Sequence, residues 1–104
     1  MKLNQEHALI FDFRMRTPIG IRLGHMTVCR SLGRISGQLD ILKHSEPFEG
    51  TIDDEGNCEM SGKIITLMRT INYKANGKIT PDSLMLSIMD GRHILEITGT
   101  PCRP

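Results

Sequence analysis

Hydrophobic and polar residues alternate along much of the chain, and this alternation predicts β-strands. In the clearest case, the segment His7–Arg16, the apolar residues of one side are Leu9, Phe11, Phe13 and Met15. The other side of this segment carries Asp12, Arg14 and Arg16. A period of two with one polar face is typical of a half-buried strand. The segment therefore predicts a strand that covers a hydrophobic core.

A short pattern recurs along the chain at a spacing of 25 residues. The segments Ile35–Leu42 and Met60–Leu67 match at this offset, and so do Phe48 and Tyr73. Each segment places an apolar residue, a small hydroxyl and a glycine before an alternating run, which indicates a strand that bends or bulges at its glycine. We therefore expect the two glycines to occupy equivalent positions in a curved antiparallel sheet.

The phase of the alternation changes once, after a break at Thr17-Pro18. The apolar residues before the change are Ile19, Ile21 and Leu23, on odd positions, and those after it are Met26 and Val28, on even positions. A β-bulge inserts one residue into a strand and produces this change of phase. The sequence therefore predicts a bulge at Gly24.

Turn signals separate the strands at intervals that fit one architecture. Asn76-Gly77 and Asp90-Gly91 favour tight hairpin turns, Asp53–Asn57 predicts another turn, and Glu46-Pro47 predicts a loop. About eight short strands with regular turns indicate an all-β fold, and short connections favour pairing between neighbours. We expect an antiparallel meander that closes into a roughly eight-stranded up-and-down barrel. The strand count and turn spacing resemble the calycin-like architecture of lipocalin or avidin barrels, without a residue motif of either family.

Two other folds are compatible with the pattern. A β-sandwich would show the same strands and turns. The segment 63–74 also fits a helix, which would make the fold α+β, because Ile64, Leu67, Met68 and Ile71 are helix-spaced. Gly62 and the β-branched residues that follow it favour strands instead.

Length and composition limit the class of protein. The 104 residues are expected to form one domain, 1–104, and a net charge of +1 argues against a nucleic-acid binder. No apolar segment has the length of a signal peptide or a membrane span, and the three cysteines have no Cys-x-x-Cys spacing. We therefore expect a cytoplasmic protein with free thiols and with neither a membrane nor a nucleic acid as its partner.

The residues that carry chemistry form no recognisable catalytic or metal motif. His7, His25, His44 and His93 lie far apart in sequence, whereas a zinc site needs several converging ligands. The acidic turn Asp53–Asn57 lacks the terminal glutamate of a calcium loop. We predict a protein that is not an enzyme, with no catalytic residue, no metal site and no cofactor.

Five side chains are candidates for a binding site. Arg69 interrupts an apolar strand face beside Tyr73, and a single arginine and tyrosine in an apolar cavity are typical of a small-molecule pocket. Arg14, Arg16 and Arg22 are expected to project from one face of a first hairpin, where guanidinium groups bind phosphate or carboxylate.

Two functional hypotheses follow from these patterns. The first is a binding protein that holds a small, mainly apolar ligand in the mouth of the barrel, with Arg69 and Tyr73 as polar contacts. The alternative is an interaction or self-association module, such as a homo-oligomer, that uses an exposed sheet face or edge. The methionine-bearing segments Met26–Val28 and Leu84–Met89 are candidate surfaces for such contacts.

Overall fold

The computed structural model describes residues 7–91 and 93–102, and these residues form a closed antiparallel β-barrel. Its strands are β1 (His7–Thr17), β2 (Gly20–Ser31), β3 (Arg34–Ile41), β4 (His44–Ile52), β5 (Asn57–Ile65), β6 (Thr70–Thr80), β7 (Ser83–Met89) and β8 (Ile94–Pro101). Each strand pairs with its neighbours in sequence, and β1 pairs with β8 to close the barrel. The eight-stranded up-and-down barrel expected from the sequence is confirmed.

The segment 63–74 contains no helix. Residues 63–65 end β5, residues 66–69 form a loop, and residues 70–74 begin β6. The helical spacing of the apolar residues is therefore misleading here, because two of them, Leu67 and Met68, lie in the loop and are exposed. The α+β alternative is wrong, and because the strands form one closed sheet, so is the sandwich.

The interior of the barrel is filled by apolar side chains from all eight strands. The alternate residues of β1 supply Phe11, Phe13 and Met15, in agreement with the face inferred from the sequence. The other strands add Met26, Val28, Ile35, Leu39, Ile41, Phe48, Ile52, Cys58, Met60, Ile64, Tyr73, Ala75, Ile79, Leu84, Leu86, Ile88, Leu95 and Ile97. A barrel of eight strands is just wide enough for side chains to fill it, so this core leaves no central channel.

The repeated glycines Gly37 and Gly62 occupy equivalent positions beside an inward-facing aromatic ring. Gly37 pairs with Phe48 across β3 and β4, and Gly62 pairs with both Phe48 and Tyr73. The pairing passes through both glycines without an extra residue, and neither has a positive φ. The expected bulges are therefore absent, and each glycine instead leaves room for an aromatic side chain.

The phase change at Gly24 has a different cause from the one inferred. The register between β1 and β2 runs without interruption from His7↔Arg30 to Thr17↔Gly20, so β2 contains no bulge. Ile21 and Leu23 instead lie on the outer face, where they are exposed. The prediction was wrong because it assumed that these apolar residues face the core.

Two inferred breaks lie inside strands. Asn76-Gly77 belongs to β6, where Gly77 pairs with Cys58 and Leu86 instead of forming a turn. Pro47 belongs to β4 and pairs with Gln38. Both predictions relied on local turn chemistry, which the pairing of the surrounding strands overrides.

Two inferred turns are present. Asp53 organises the connection between β4 and β5, because its Oδ1 accepts hydrogen bonds from the backbone N–H groups of Glu55 and Asn57 at 2.8 and 2.9 Å. Gly56 has a φ of 95° in the same turn. At Asp90-Gly91 the chain turns from β7 to β8, with the N–H of Asp90 donating to the carbonyl of His93 at 3.2 Å.

The connections lie at two ends of the barrel, which differ in chemistry. We call one the open end; its turns contain residues 18–19, 42–43, 66–69 and 90–91. The opposite end has turns at residues 32–33, 53–56 and 81–82. The acidic turn residues of the opposite end are Asp53, Asp54, Glu55 and Asp82. The turns of the open end carry mainly aliphatic and basic residues, and the candidate site lies there.

Candidate functional site at the open end of the barrel

A hairpin projects from the barrel wall at the open end. The strands β5 and β6 stay paired as far as Ile65↔Thr70. Pairing of β5 with β4 stops at Phe48↔Gly62, however, and pairing of β6 with β7 stops at Lys74↔Met89. Among the described residues, 63–72 therefore form a two-stranded ribbon that pairs with no further strand, here called the projecting hairpin.

Pro47 lies at the point where the hairpin separates from the wall. It stands next to Phe48, the last β4 residue that pairs with β5. Pairing of β4 with β3 continues past Pro47, whereas pairing with β5 ends beside it. Proline has no backbone N–H to donate to a neighbouring strand. The loop inferred at Glu46-Pro47 is absent, but the proline marks a real end of pairing.

Two ion pairs connect the projecting hairpin to its neighbours. The Nζ of Lys63 lies 3.9 Å from the Oε1 of Glu46 on β4, and an Nη of Arg69 lies 3.9 Å from the Oδ2 of Asp90 in the turn after β7. Pairs at this distance contribute little to stability when one partner is largely exposed, as Lys63 and Arg69 are. The hairpin is thus held at its flanks by weak charge contacts in place of backbone hydrogen bonds.

The loop at the tip of the projecting hairpin is ordered by Thr66. Its Oγ1 accepts hydrogen bonds from the N–H groups of Met68 and Arg69 at 3.2 and 3.1 Å, and donates to the carbonyl of Arg69 at 2.9 Å. The backbone N–H of Thr66 also donates to that carbonyl at 2.9 Å. This closed turn presents Leu67 and Met68 fully to solvent.

A cavity of about 800 Å³ lies at the mouth of the barrel beneath the projecting hairpin. Its floor is aliphatic and is formed by Met15, Ile64, Ile71 and Leu95. Its apolar rim comes from the turns of the open end, with Pro18, Ile19, Leu42, Leu67 and Met68. The cavity opens to solvent and lies above the packed interior, so it is a surface site and not a hollow barrel.

The charged residues at this cavity are mostly basic. Arg22, Lys43 and Arg69 line it together with one acidic residue, Asp90. Asp90 is already engaged, since its Oδ1 accepts a hydrogen bond from the N–H of His93 at 2.8 Å and its Oδ2 faces Arg69. Within the described residues, neither Arg22 nor Lys43 takes part in an ion pair. The rim therefore has an excess of positive charge, which favours an anionic group.

The structure separates the two residues that the sequence paired as ligand contacts. Arg69 lies in the loop of the projecting hairpin, exposed at the cavity rim. Tyr73 points into the packed interior and is buried against Gly62. Burial raises the pKa of Tyr73 to about 12. Arg69 thus belongs to the candidate site, whereas Tyr73 is part of the core beside it.

The three candidate arginines of the first hairpin do not share one face. Arg22 is paired with Met15, on the inward side of β2, and lines the cavity. Arg14 and Arg16 pair with Leu23 and Ile21 on the outer face. The expectation of a common face assumed that Ile21 and Leu23 face the core, which would turn Arg22 outward with Arg14 and Arg16. Only Arg22 reaches the mouth of the barrel.

Lys43 is a site residue that sequence reasoning missed. It follows Leu42 in a two-residue turn, and both have positive φ angles, 55° for Leu42 and 66° for Lys43. Hairpin turns that need two positive φ angles normally use Asn-Gly or Asp-Gly. Because Leu42-Lys43 carries no such signal, the position of this turn, and of the lysine in it, was not visible in the sequence.

The outer wall carries a second cluster of polar side chains, which is open to solvent. Asp12, His25 and Asp40 lie side by side on β1, β2 and β3, and the Nδ1 of His25 is 2.6 Å from the Oδ1 of Asp12. All three are at least partly exposed. Within residues 7–91 and 93–102, no group of three His, Cys, Asp or Glu side chains has the arrangement of a metal site.

Comparison with known proteins gives no assignment for this chain. No family model matches it, and no curated protein or solved structure is significantly similar to it. The described part of the chain contains no helix long and apolar enough to cross a membrane. Function is therefore inferred from the geometry and chemistry of the open end.

Proposed function

We propose that the protein binds an amphiphilic anion, with the aliphatic part of the ligand in the mouth cavity and its anionic group beside Arg22 and Lys43. The observation that carries this proposal is the combination of an aliphatic floor with a basic rim in one cavity. The proposal assigns binding and no catalytic step. It keeps the small, mainly apolar ligand inferred from the sequence and adds a charge to it.

The size of the cavity supports a small ligand. Small-molecule sites usually enclose about 300–1,000 Å³ and are lined mainly by apolar side chains with a few polar groups. The mouth cavity, at about 800 Å³, lies within this range. Because the interior below it is filled, the ligand would lie across the floor residues Met15 and Leu95.

The basic rim supports an anionic group on that ligand. Arg22 is half-buried beside Met15, so its charge is less screened by water than that of a fully exposed side chain. A guanidinium group binds carboxylate, sulfate or phosphate through two parallel hydrogen bonds. Lys43 adds a second positive charge from the neighbouring turn.

Calorimetric titration with three twelve-carbon amphiphiles tests the proposal. Dodecanoate, dodecanol and dodecyltrimethylammonium share an alkyl chain and differ in charge. The two ions are used below their micellar concentrations and dodecanol below its solubility limit. We expect dodecanoate to bind at least about tenfold more tightly than the cation, equivalent to about 1.4 kcal/mol. Equal binding of the cation would contradict the role of the basic rim.

Matched variants test whether the ligand lies in the mouth cavity. We expect the double substitution Arg22→Ser and Lys43→Ser to abolish the preference for dodecanoate, because it removes both unpaired charges of the rim. Arg34→Ser at the opposite end is the control and is expected to leave the titration unchanged. An equal loss in the Arg34→Ser protein would show that binding follows net charge and not this site.

Self-association is a second candidate function, favoured by exposed aliphatic residues on the outer face. Ile10, Ile21 and Leu23 are exposed on β1 and β2. Met26 is buried and is therefore no candidate contact, whereas Met85 and Met89 of β7 are exposed. Light scattering of the wild type and of Leu23→Ser at several concentrations tests it, since a monomer at every concentration would exclude this function.

A further inference from the structure

We propose that the open end docks on a lipid surface that contains anionic lipids, with Leu67 and Met68 inserted among the lipids. The inference rests on the proposed function, because it names a lipid layer as the source of the amphiphilic anion that the cavity takes. It differs from the expectation, drawn from composition alone, that the protein has no membrane partner. The surface that docks is the tip of the projecting hairpin and the turns beside it.

The aliphatic side chains of the open end protrude from the barrel. Leu67 and Met68 at the tip of the projecting hairpin are fully exposed, and Ile19 in the turn between β1 and β2 is 79% exposed. All three border the same cavity. Exposed apolar groups gathered in this way mark surfaces that bind a protein, a ligand or a membrane.

The turns that carry these residues are built alike and are ordered by hydrogen bonds. Thr17 accepts from the N–H of Ile19 at 3.3 Å and donates to the carbonyl of Gly20 at 2.6 Å, as Thr66 does in the projecting hairpin. A third threonine, Thr80, organises the turn 81–82 at the opposite end. That turn presents Pro81 and Asp82, so this type of turn does not itself require an exposed aliphatic tip.

The charges around the apolar rim match an anionic lipid surface. Arg22, Lys43 and Arg69 border the cavity, and Arg14 and Arg16 lie on the adjoining outer wall. Basic residues next to an apolar insertion are attracted by the negative potential of anionic lipids. The acidic turns lie at the opposite end, where Arg30 and Arg34 offset part of their charge, so the open end is the end that an anionic lipid surface attracts.

The same charges disfavour a symmetric contact between two open ends of the barrel. Two open ends that meet about a twofold axis would bring Arg22, Lys43 and Arg69 of both copies together. A head-to-tail contact would bring this basic rim to the acidic turn Asp53–Gly56, so the light scattering described below is the test that separates it from docking on lipid.

Sedimentation with lipid vesicles tests the inference on the whole protein. The vesicles contain phosphatidylcholine alone or phosphatidylcholine mixed with phosphatidylglycerol. We expect the wild type to bind the mixed vesicles at least about tenfold more tightly, and added salt to weaken this binding because it screens the basic rim. Equal binding to both vesicles, or no binding to either, would overturn the inference.

Two variants separate insertion at the tip from general hydrophobicity. The double substitution Leu67→Ser and Met68→Ser is expected to lower vesicle binding at least about tenfold without lowering the melting temperature, because both side chains are exposed. Leu32→Ser is the control, since Leu32 is an equally exposed leucine in a turn at the opposite end. A comparable loss with Leu32→Ser, or none with the double variant, would contradict docking through the tip.

The same proteins distinguish failure of docking from failure of the proposed function. Leu67 and Met68 also border the cavity, so the double tip variant is expected to weaken dodecanoate binding as well, and the wild type is the protein that makes the distinction. Dodecanoate binding without vesicle binding would overturn the docking inference and leave the ligand site intact. A wild-type dimer in light scattering that the tip variant abolishes would assign the tip to self-association and also overturn docking.

Discussion

The hydroxyl oxygen of Tyr73 lies 2.8 Å from the point at which a Cβ at Gly62 would stand. The two residues are direct partners across β5 and β6, and the phenol covers the glycine from inside the barrel. Phe48 is related to Gly37 in the same way, with its ring tip 3.0 Å from the corresponding point. The spacing of 25 residues in the sequence thus corresponds to a repeated contact between an aromatic ring and a glycine.

We expect Gly62→Ala to destabilise the barrel by about 1–3 kcal/mol, the usual range for overfilling a packed core. The cost should be smaller when Tyr73 is replaced by leucine, because the added methyl group then meets no phenol. Urea unfolding of both single variants and the double variant gives the coupling energy. Purely additive effects would contradict direct contact between the two positions.

Gly37→Ala makes the same change in the other aromatic–glycine pair and is compared with Gly62→Ala. The nearest group to a Cβ at Gly37 is the backbone carbonyl of Thr27, which cannot be removed by changing a side chain. We therefore expect this substitution to cost more than Gly62→Ala, with less relief from shortening Phe48.

Tyr73 is the only tyrosine in a chain without tryptophan, so absorbance near 295 nm reports its ionisation alone. Burial raises its pKa from 10.0 to about 12, which means that the folded state binds this proton more tightly than the unfolded state. Its contribution to stability is complete below pH 10 and is lost as the pH rises towards about 12. Ionisation with a pKa near 10 in the folded protein would contradict this burial.

The substitution Tyr73→Phe is expected to remove the loss of stability at alkaline pH that ionisation of Tyr73 causes. In the described part of the chain the Tyr73 hydroxyl makes no hydrogen bond, so its removal should leave stability at neutral pH equal or raise it by about 1 kcal/mol. Thermal unfolding between neutral and alkaline pH measures both effects. A marked loss of stability at neutral pH would mean that the hydroxyl has a partner.

Asp53 makes the turn after β4 sensitive to acid. Its pKa is lowered from 3.8, first by the side-chain hydrogen bond from Asn57 and then by backbone N–H groups of the turn. A lowered pKa stabilises the folded state above the usual value, and the contribution is lost as the pH falls through the folded value. We expect Asp53→Ala to melt at a lower temperature at pH 7, with a difference that shrinks as the pH falls through the lowered pKa of Asp53.

Asp54→Ala provides the control for this measurement, since Asp54 is the neighbouring carboxylate in the same turn and makes no hydrogen bond with the described residues. We expect little change in its melting temperature at pH 7 or at acidic pH. An effect equal to that of Asp53→Ala would point to the overall charge of the turn and away from the hydrogen bonds of Asp53.

Replacing the turn Leu42-Lys43 by a more favourable turn is expected to stabilise the barrel and to weaken ligand binding. Both residues have positive φ angles, which cost about 1–2 kcal/mol for residues with a Cβ. We expect Leu42→Asn with Lys43→Gly to raise the free energy of unfolding by about 1 kcal/mol. The same change removes an apolar and a basic group from the cavity rim and should weaken dodecanoate binding, which the titration above measures.

The barrel was predictable because its evidence is spread over many residues, such as the alternation of Leu9, Phe11 and Phe13 along β1. The positions of single side chains were harder to predict from the sequence than the fold. Ile21 and Leu23 are apolar and yet face solvent. Because side chains alternate along a strand, Arg22 between them faces the inside of the barrel. Arg69 was assigned to an apolar strand face because the loop around it has no glycine or proline to mark it.

The projecting hairpin is expected to open and close independently of the rest of the barrel. Its backbone hydrogen bonds beyond Gly62 and Tyr73 run only between its own two strands, whereas the wall around it is paired on both sides. Amides of residues 63–72 should therefore exchange with solvent through local opening, well before the barrel as a whole unfolds. A segment that opens alone can be exchanged for another sequence without rebuilding the wall, so the tip can diverge between descendants of this chain while the barrel beneath it stays the same.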